Sequence, residues 1–266
     1  MIRLIGIYIE CHGAKAAKTM QEHKLRCVTW NIHRAKGSDG KVDANRVMDV
    51  IASDLAPLRL DVLALQEADE DHRPHARILN VHRVAELTGL SYVHDSLNLR
   101  WGRESDGFLG SILFLSKALE KTHADVIDLP GHCHRGAVAV ETLCDGRTLR
   151  IMTMHLSLWQ PLRIVQMRVI GQYLRRRPRM QTLMLGDFNE WRPWGGWMFH
   201  KHVVGATFKG PVRRTFPSSK PLLPLDRVMT DAPGALNRVK VLDSASIKSA
   251  SDHLPLTATV TISNKN

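Results

Sequence analysis

The chain has 266 residues, 44% hydrophobic and 24% charged, the proportions of an ordinary globular protein. Collagen-like, disordered and disulfide-dense classes are excluded, and no apolar run approaches the roughly 20 residues of a membrane-spanning helix. The 37 lysines and arginines outnumber the 26 acids and leave a net charge of +11, which favours polyanionic partners such as nucleic acid or an anionic lipid surface.

Cys11, Cys27, Cys133 and Cys144 are scattered without a CxxC pair, as expected of reduced thiols in a cytoplasmic protein. The apolar stretch Leu4 to Ile9 is too short for a secretory leader. Residues 1–24 read as a loose N-terminal extension, with Met20 as an alternative start, ahead of one domain over 25–262.

Order begins at Leu25. Leu25 to Ile32 alternates apolar and polar residues as a strand does. Residues 43–55 suit a helix with Val47, Val50, Ile51 and Leu55 on one face. Asp61 to Gln66 is a near-continuous apolar run, the pattern of a strand covered on both faces. A second helix is expected over 75–88, stopped by Gly89. Strands follow at Gly110 to Leu115, Gly136 to Leu143 and Arg150 to His155. Ser157 and Gln160 form a capping-box pattern at the start of a third helix, whose buried stripe is Ile164, Met167, Ile170 and Leu174. Thr182 to Leu185, Leu225 to Thr230 and Leu256 to Ile262 complete the strands. Interleaved strands and helices without a linker point to one layered α/β domain.

Polar residues with chemical potential share one placement, at or just beyond strand ends: Asn31, Glu67, His155, Asp187, Asn189, Asp226, Asp252 and His253. Turn chemistry explains any one of them, because Asp and Asn side chains bond nearby backbone. So many together argue for a site held out by a rigid scaffold.

Thr29-Trp30-Asn31-Ile32-His33, Leu65-Gln66-Glu67, Met154-His155-Leu156, Gly186-Asp187-Phe188-Asn189 and Ser251-Asp252-His253-Leu254-Pro255 occur in an order that resembles the endonuclease/exonuclease/phosphatase superfamily. Each motif is short; the ordered set of five is the specific signal. The resemblance implies a four-layer α/β sandwich, two packed mixed β-sheets flanked by helices. It implies a metal-dependent phosphoesterase in which an activated water attacks phosphorus in line. The metal expected is Mg²⁺, with Mn²⁺ as substitute, because carboxylate and amide oxygens suit a hard cation. Glu67 is the foremost ligand candidate, supported by Asn31 and Asp252. By the family's pattern Asp187 orients the water, Asn189 holds phosphoryl oxygens, and His253, paired with Asp226, contacts the phosphate or shuttles a proton.

His155 resembles the deoxyribonuclease/sphingomyelinase-like branch; AP endonucleases carry tyrosine at that strand end. Deoxyribonuclease-like members partner this histidine with a glutamate near positions 108–110, where this chain has Phe108, Leu109 and Gly110. Asp106 is the neighbouring acid. Arg135 either contacts a substrate phosphate or pairs with a surface acid. Gly131-His132-Cys133-His134 invites a zinc reading, but no second cluster accompanies it.

Trp191, Trp194 and Trp197 either pack a long loop or form an aromatic rim for a base or a lipid interface. Arg175, Arg176, Arg177 and Arg179 either complement a helix C-terminus or attract a polyanion. The expected substrate is a phosphodiester of nucleic acid or phospholipid, with possible peripheral membrane contact, handled by a monomer. A phosphomonoesterase for an inositol phosphate and a catalytically silent anion-binding module are the alternatives.

Overall fold

The computed structural model describes residues 23–131 and 135–262. The extension up to residue 22, Met20 included, and the His132-Cys133-His134 segment with its zinc reading lie outside the described residues. In β1 (His23–Asn31) Leu25 and Cys27 face one core while Val28 and Trp30 face another, since successive strand side chains point to opposite faces. β2 (Val62–Gln66) is buried throughout, with Val62 and Ala64 on the first side and Leu63 and Leu65 on the second.

The remaining elements are α1 (Ala44–Val50), α2 (Val81–Thr88), β3 (Ser91–Tyr92), β4 (Ile112–Leu115), β5 (Glu120–Leu129), β6 (Arg135–Cys144), β7 (Arg147–His155), α3 (Gln160–Arg176), β8 (Gln181–Asp187), α4 (Lys201–Val204), β9 (Asp226–Thr230), β10 (Leu236–Val241), α5 (Ala245–Ala250) and β11 (Leu256–Ile262). One sheet has the order β10-β11-β1-β2-β4-β3, the other β5-β6-β7-β8-β9. Both are mixed: β1 with β2 and β7 with β8 run parallel, and their other neighbours are antiparallel.

Three cores make the layers. Leu25, Ala64, Leu113, Val138, Ile151, Leu185 and Val260 meet between the sheets. Trp30, Leu63 and Phe114 pack outward against Val47, Val84 and Ile247 of the helices. Met152, Met154 and Met184 pack on Met167 and Ile170 of α3 and Val203 and Val204 of α4. The result is the expected four-layer α/β sandwich.

Several local expectations are corrected. The first helix stops being α-helical at Val50 and runs on through a wider turn, Ile51–Leu55. The second begins at Val81, not residue 75, because the Asn80 side chain accepts from Arg83 N (3.0 Å) and caps it there. No capping box forms at Ser157: its backbone N–H donates to Gln166 Oε1 (2.9 Å), and the helix starts at Gln160 beside Pro161. β5 and β10 went unforeseen because they are outer strands with few buried apolar residues.

Register carries the functional residues to one edge. Asn31 pairs with Gln66, one residue before Glu67. His155 pairs with Asp187, and Asp187 with Asp226. Gly186 keeps β7 close, since a Cβ there would lie 2.1 Å from Met154 O. The arginine run lies at the opposite end of the sheet, Arg175 and Arg176 in the last turn of α3 and Arg177 and Arg179 between it and β8; Arg177 pairs there with Glu141 at 2.8 Å.

Candidate active site

Buried strands end abruptly in polar groups, and both sheets place those groups on one seam. Thr29 Oγ1 donates to Gln66 Oε1 (3.1 Å), and Gln66 Nε2 donates across to Thr153 Oγ1 (3.0 Å), so a polar stitch ties the sheets just behind the seam. Asn31 Nδ2 donates to Glu67 Oε1 (3.1 Å) and Asp187 Oδ2 (3.0 Å), joining the two carboxylates. Glu67 takes a left-handed backbone (φ 53°) immediately after β2, a conformation that costs a side-chain-bearing residue about 1–2 kcal/mol. Asn189 does the same (φ 51°) after β8; its backbone N–H donates to Asp187 Oδ1 (2.8 Å) and its Nδ2 to Leu156 O (2.9 Å).

His253 Nδ1 meets Asp226 Oδ2 at 2.9 Å, and Nε2 stands 3.8 Å from Asp187 Oδ2. Thr215 Oγ1 donates to the same Asp226 oxygen (2.5 Å). The loop bearing His253 is fixed through Trp30 Nε1, which donates to His253 O (3.0 Å), and Ser251 Oγ, which donates to Asn31 O (2.7 Å). Burial alone would lower the His253 pKa; Asp226 and Asp187 outweigh it and raise it, so the ring is a cation at neutral pH. Burial raises the Asp187 pKa against the pull of His253 and makes this carboxylate a better base.

His155 behaves oppositely. Burial, with Arg135 beside it, pushes its pKa well below the ordinary value, so it is neutral. Arg135 Nη1 lies 3.0 Å from His155 Nδ1. A guanidinium only donates, so Nδ1 is the acceptor and the proton sits on Nε2. That Nε2 faces Asp187 Oδ2 at 3.6 Å and Glu67 Oε1 at 3.8 Å. Arg135 is thus the partner of His155, neither paired with a surface acid nor replaced by Asp106, which lies 3.8 Å from Arg77.

The structure brings together Asn31, Glu67, His155, Asp187, Asn189, Asp226 and His253, with Arg135 joined through His155. Asp252 lies next to this group rather than in it: its Oδ1 is 3.4 Å from Nδ1 of His33, whose backbone N–H donates to Asn31 Oδ1 (2.9 Å). Sequence reading missed Arg34, whose Nη1 donates to Glu67 Oε2 (2.6 Å) and Nη2 to Asp71 Oδ1 (2.8 Å). Its signal was a cation one residue beyond the Asn-Ile-His motif. Thr215 was also missed and gave no signal.

The residues fit a hard divalent cation. Their donors are oxygens, which such ions prefer. Asp252 Oδ1 is buried without a hydrogen-bond partner, an anionic oxygen that a cation would satisfy. Asn31 Oδ1 accepts from His33 N (2.9 Å), which leaves its second lone pair for a cation. Asp187, Asp226 and His253 also lie within 4.8 Å of one another. Because Asp226 already holds His253 Nδ1, that trio is an ion pair facing a second carboxylate rather than an ion cage.

The model of the Endonuclease/Exonuclease/phosphatase family matches residues 28–253, from the strand that ends in Asn31 through His253. The chain belongs to that family. Endonuclease/exonuclease/phosphatase proteins are hydrolases of phosphoesters, for the most part metal-dependent. The chain is 24% identical over 257 residues to the uncharacterized protein YbhP of Escherichia coli K12, covering 90% of this chain and 97% of that one. Its fold is similar to that of a mannosyl-6-phosphatase from Bacteroides thetaiotaomicron (TM-score 0.65, 15% identity, 88% and 98% of the two chains). It is also similar to D. rerio TDP2 complexed with a single-strand DNA product (TM-score 0.64, 18% identity, 89% and 98%). Among the described residues no helix is long and apolar enough to cross a membrane.

Proposed function

We propose that this protein hydrolyses a phosphodiester, of nucleic acid or phospholipid, by in-line attack of a water activated at Asp187. The observation that carries the reading is the His155–Asp187–Asp226 row with His253 bridging its two carboxylates. Charge neutralisation at a phosphoryl oxygen is what Mg²⁺, or Mn²⁺, would supply when held at Glu67, Asn31 and Asp252. Asp187 takes the proton of the water, its basicity raised by burial. His253, kept cationic by Asp226, donates from Nε2 to a phosphoryl oxygen as negative charge builds there. Asn189 spends one amide N–H on Leu156 O and offers the other to the phosphoryl group. Arg135 sets the His155 tautomer, leaving Nη2 for a substrate oxygen. His155 presents Nε2–H toward Asp187, so it donates rather than accepts in the resting site.

The histidine at the end of β7 supports the deoxyribonuclease/sphingomyelinase-like branch, with arginine in place of the branch's glutamate partner. Free buried Cys27 and Cys144 support a reducing compartment, the cytoplasm. A phosphomonoesterase is the second reading, favoured by the fold shared with the mannosyl-6-phosphatase. The deciding experiment is a hydrolysis panel with Mg²⁺ and Mn²⁺ against single- and double-stranded DNA, RNA, sphingomyelin and inositol phosphates. Glu67→Gln and Asp187→Asn each abolish turnover while the fold persists. Full activity in either variant, or in excess EDTA, defeats the mechanism.

A further inference from the structure

Two loops at the catalytic edge carry large apolar side chains that the fold leaves in water. Leu158 and Trp159 follow His155 at the end of β7; Trp191, Trp194 and Trp197 follow Asn189 at the end of β8. They are 77%, 66%, 54%, 65% and 62% exposed in that order. Loop packing, the ordinary role of such residues, falls instead to Phe188 and Met198, which are buried against α3. Single exposed apolar residues are common; five on two loops beside a site mark an interaction surface.

A buried node locks the loops together. Glu190 is fully buried, and its carboxylate accepts from Arg163 Nη2 (3.4 Å), Arg192 Nη2 (3.0 Å), Arg192 Nε (2.7 Å) and Arg192 N (3.1 Å). Arg163 in turn donates to the carbonyls of Ser157 (3.1 Å) and Leu158 (2.6 Å). Gly196 closes on the same carboxylate, where a Cβ would lie 2.7 Å from Glu190 Oε2. The guanidinium of Arg192 stands 5.1 Å and 5.3 Å from the ring centres of Trp191 and Trp194. Two guanidiniums share one carboxylate, and Arg227 adds a third through the Glu190 and Arg192 carbonyls (3.0 and 2.9 Å). Arg192 thus sets a cation against the faces of two of the rim tryptophans.

We propose that this rim is a lipid-interface contact, in which Leu158 and the four tryptophans enter the headgroup region of an anionic bilayer and set the catalytic edge against phospholipid phosphodiesters. Indole rings settle at the headgroup level, and basic side chains near the surface complement anionic lipid. The +11 net charge of the whole chain acts in the same direction. A single-stranded nucleic acid would want stacking faces throughout. Leu158, the most exposed of the five, has no such face, and Arg192 already spends its Nε and Nη2 on Glu190. The substrate half of this proposal rests on the phosphodiesterase reading; the membrane contact does not.

The test is flotation of the full chain with phosphatidylcholine vesicles, with and without phosphatidylglycerol, read together with tryptophan emission. A single-stranded oligonucleotide serves as competitor. Binding to the phosphatidylglycerol vesicles with a blue-shifted emission is expected. The double variant Trp194→Ala/Trp197→Ala loses at least tenfold in vesicle affinity, with circular dichroism and melting temperature unchanged. It hydrolyses a water-soluble diester as the parent does and falls only on vesicle-borne substrate. Glu67→Gln is expected to float normally and hydrolyse nothing; a parent chain that floats yet hydrolyses no phosphodiester would sink the phosphodiesterase reading and spare the rim. Failure of the parent to float, undiminished flotation of the double variant, or oligonucleotide binding that needs these tryptophans while vesicles are ignored would each overturn the lipid contact.

Discussion

Gly186→Ala tests whether the spacing of β7 and β8 sets the site. The added Cβ would lie 2.1 Å from Met154 O, and real contacts of that kind start near 3.0 Å, so the strands must part by about 0.9 Å. Gly186 also sits at φ 149°, a backbone region that side-chain-bearing residues avoid. Overpacking a closed core costs about 1–3 kcal/mol, and an unfavourable φ adds about 1–3 kcal/mol. A total loss of about 2–6 kcal/mol is expected in urea unfolding. Asp187 is the next residue and pairs with His155, so a shift near 1 Å lands directly on the reacting groups. Such misplacement costs about 100-fold in turnover. Gly40→Ala is the control: it shares a positive φ (77°) but meets nothing within 4 Å, so it loses about 1 kcal/mol and keeps full activity. If Gly186→Ala unfolds at the parent's urea midpoint with the parent's kcat/KM, the spacing argument is refuted.

Three further outcomes are expected. Glu141→Gln leaves the buried guanidinium of Arg150, bonded at 2.8 and 3.2 Å, without its countercharge; about 3–5 kcal/mol of stability is lost, measured by urea unfolding, and an unchanged midpoint contradicts it. His94 is buried, accepts from Leu113 N (3.1 Å) and meets Leu99 O through Nδ1, and burial pushes its pKa from 6.5 down to about 4. Below pH 6.5 the unfolded chain binds a proton that the folded chain refuses. Its contribution of about 3 kcal/mol is therefore complete above pH 6.5 and fades as pH falls toward 4. His94→Gln should flatten the stability profile across that window; profiles that stay parallel count against it. Arg34→Ala frees Glu67 Oε2 and Asp71 Oδ1, so calorimetry should show Mn²⁺ binding roughly tenfold tighter, and weaker binding would show that Arg34 supports the cation instead.

Both the layering and most of the seam were legible in the sequence, for a physical reason. A strand buried on both faces is nearly all apolar, so the first charged residue after Leu65 or Leu185 marks the strand's end. Asn31, Glu67, His155 and Asp187 all sit at that boundary. Contacts made across long separations were not legible. Nothing local reveals that Arg135 holds His155, that Arg34 reaches Glu67, or that Thr215 shares Asp226 with His253. The missing glutamate near position 108 has a steric counterpart, since a Cβ on Gly110 would already lie 3.2 Å from Glu67 Cα. Ser157 and Gln160 misled because a capping pattern describes only a helix in isolation, and here Gln166 claims the Ser157 amide. Asp252 matched a motif yet faces His33, since a motif fixes backbone order and leaves rotamer to the neighbours.

The polar stitch from Thr29 through Gln66 to Thr153 makes the chemistry a property of docked layers. Asn31 and Glu67 belong to one sheet, His155, Asp187 and Asp226 to the other. A refolding chain can complete either half and remain inert, because Asn31, Glu67 and His253 come with one sheet and Asp187, Asp226 and His155 with the other. Turnover should therefore return only with the last docking step, after circular dichroism has already recovered.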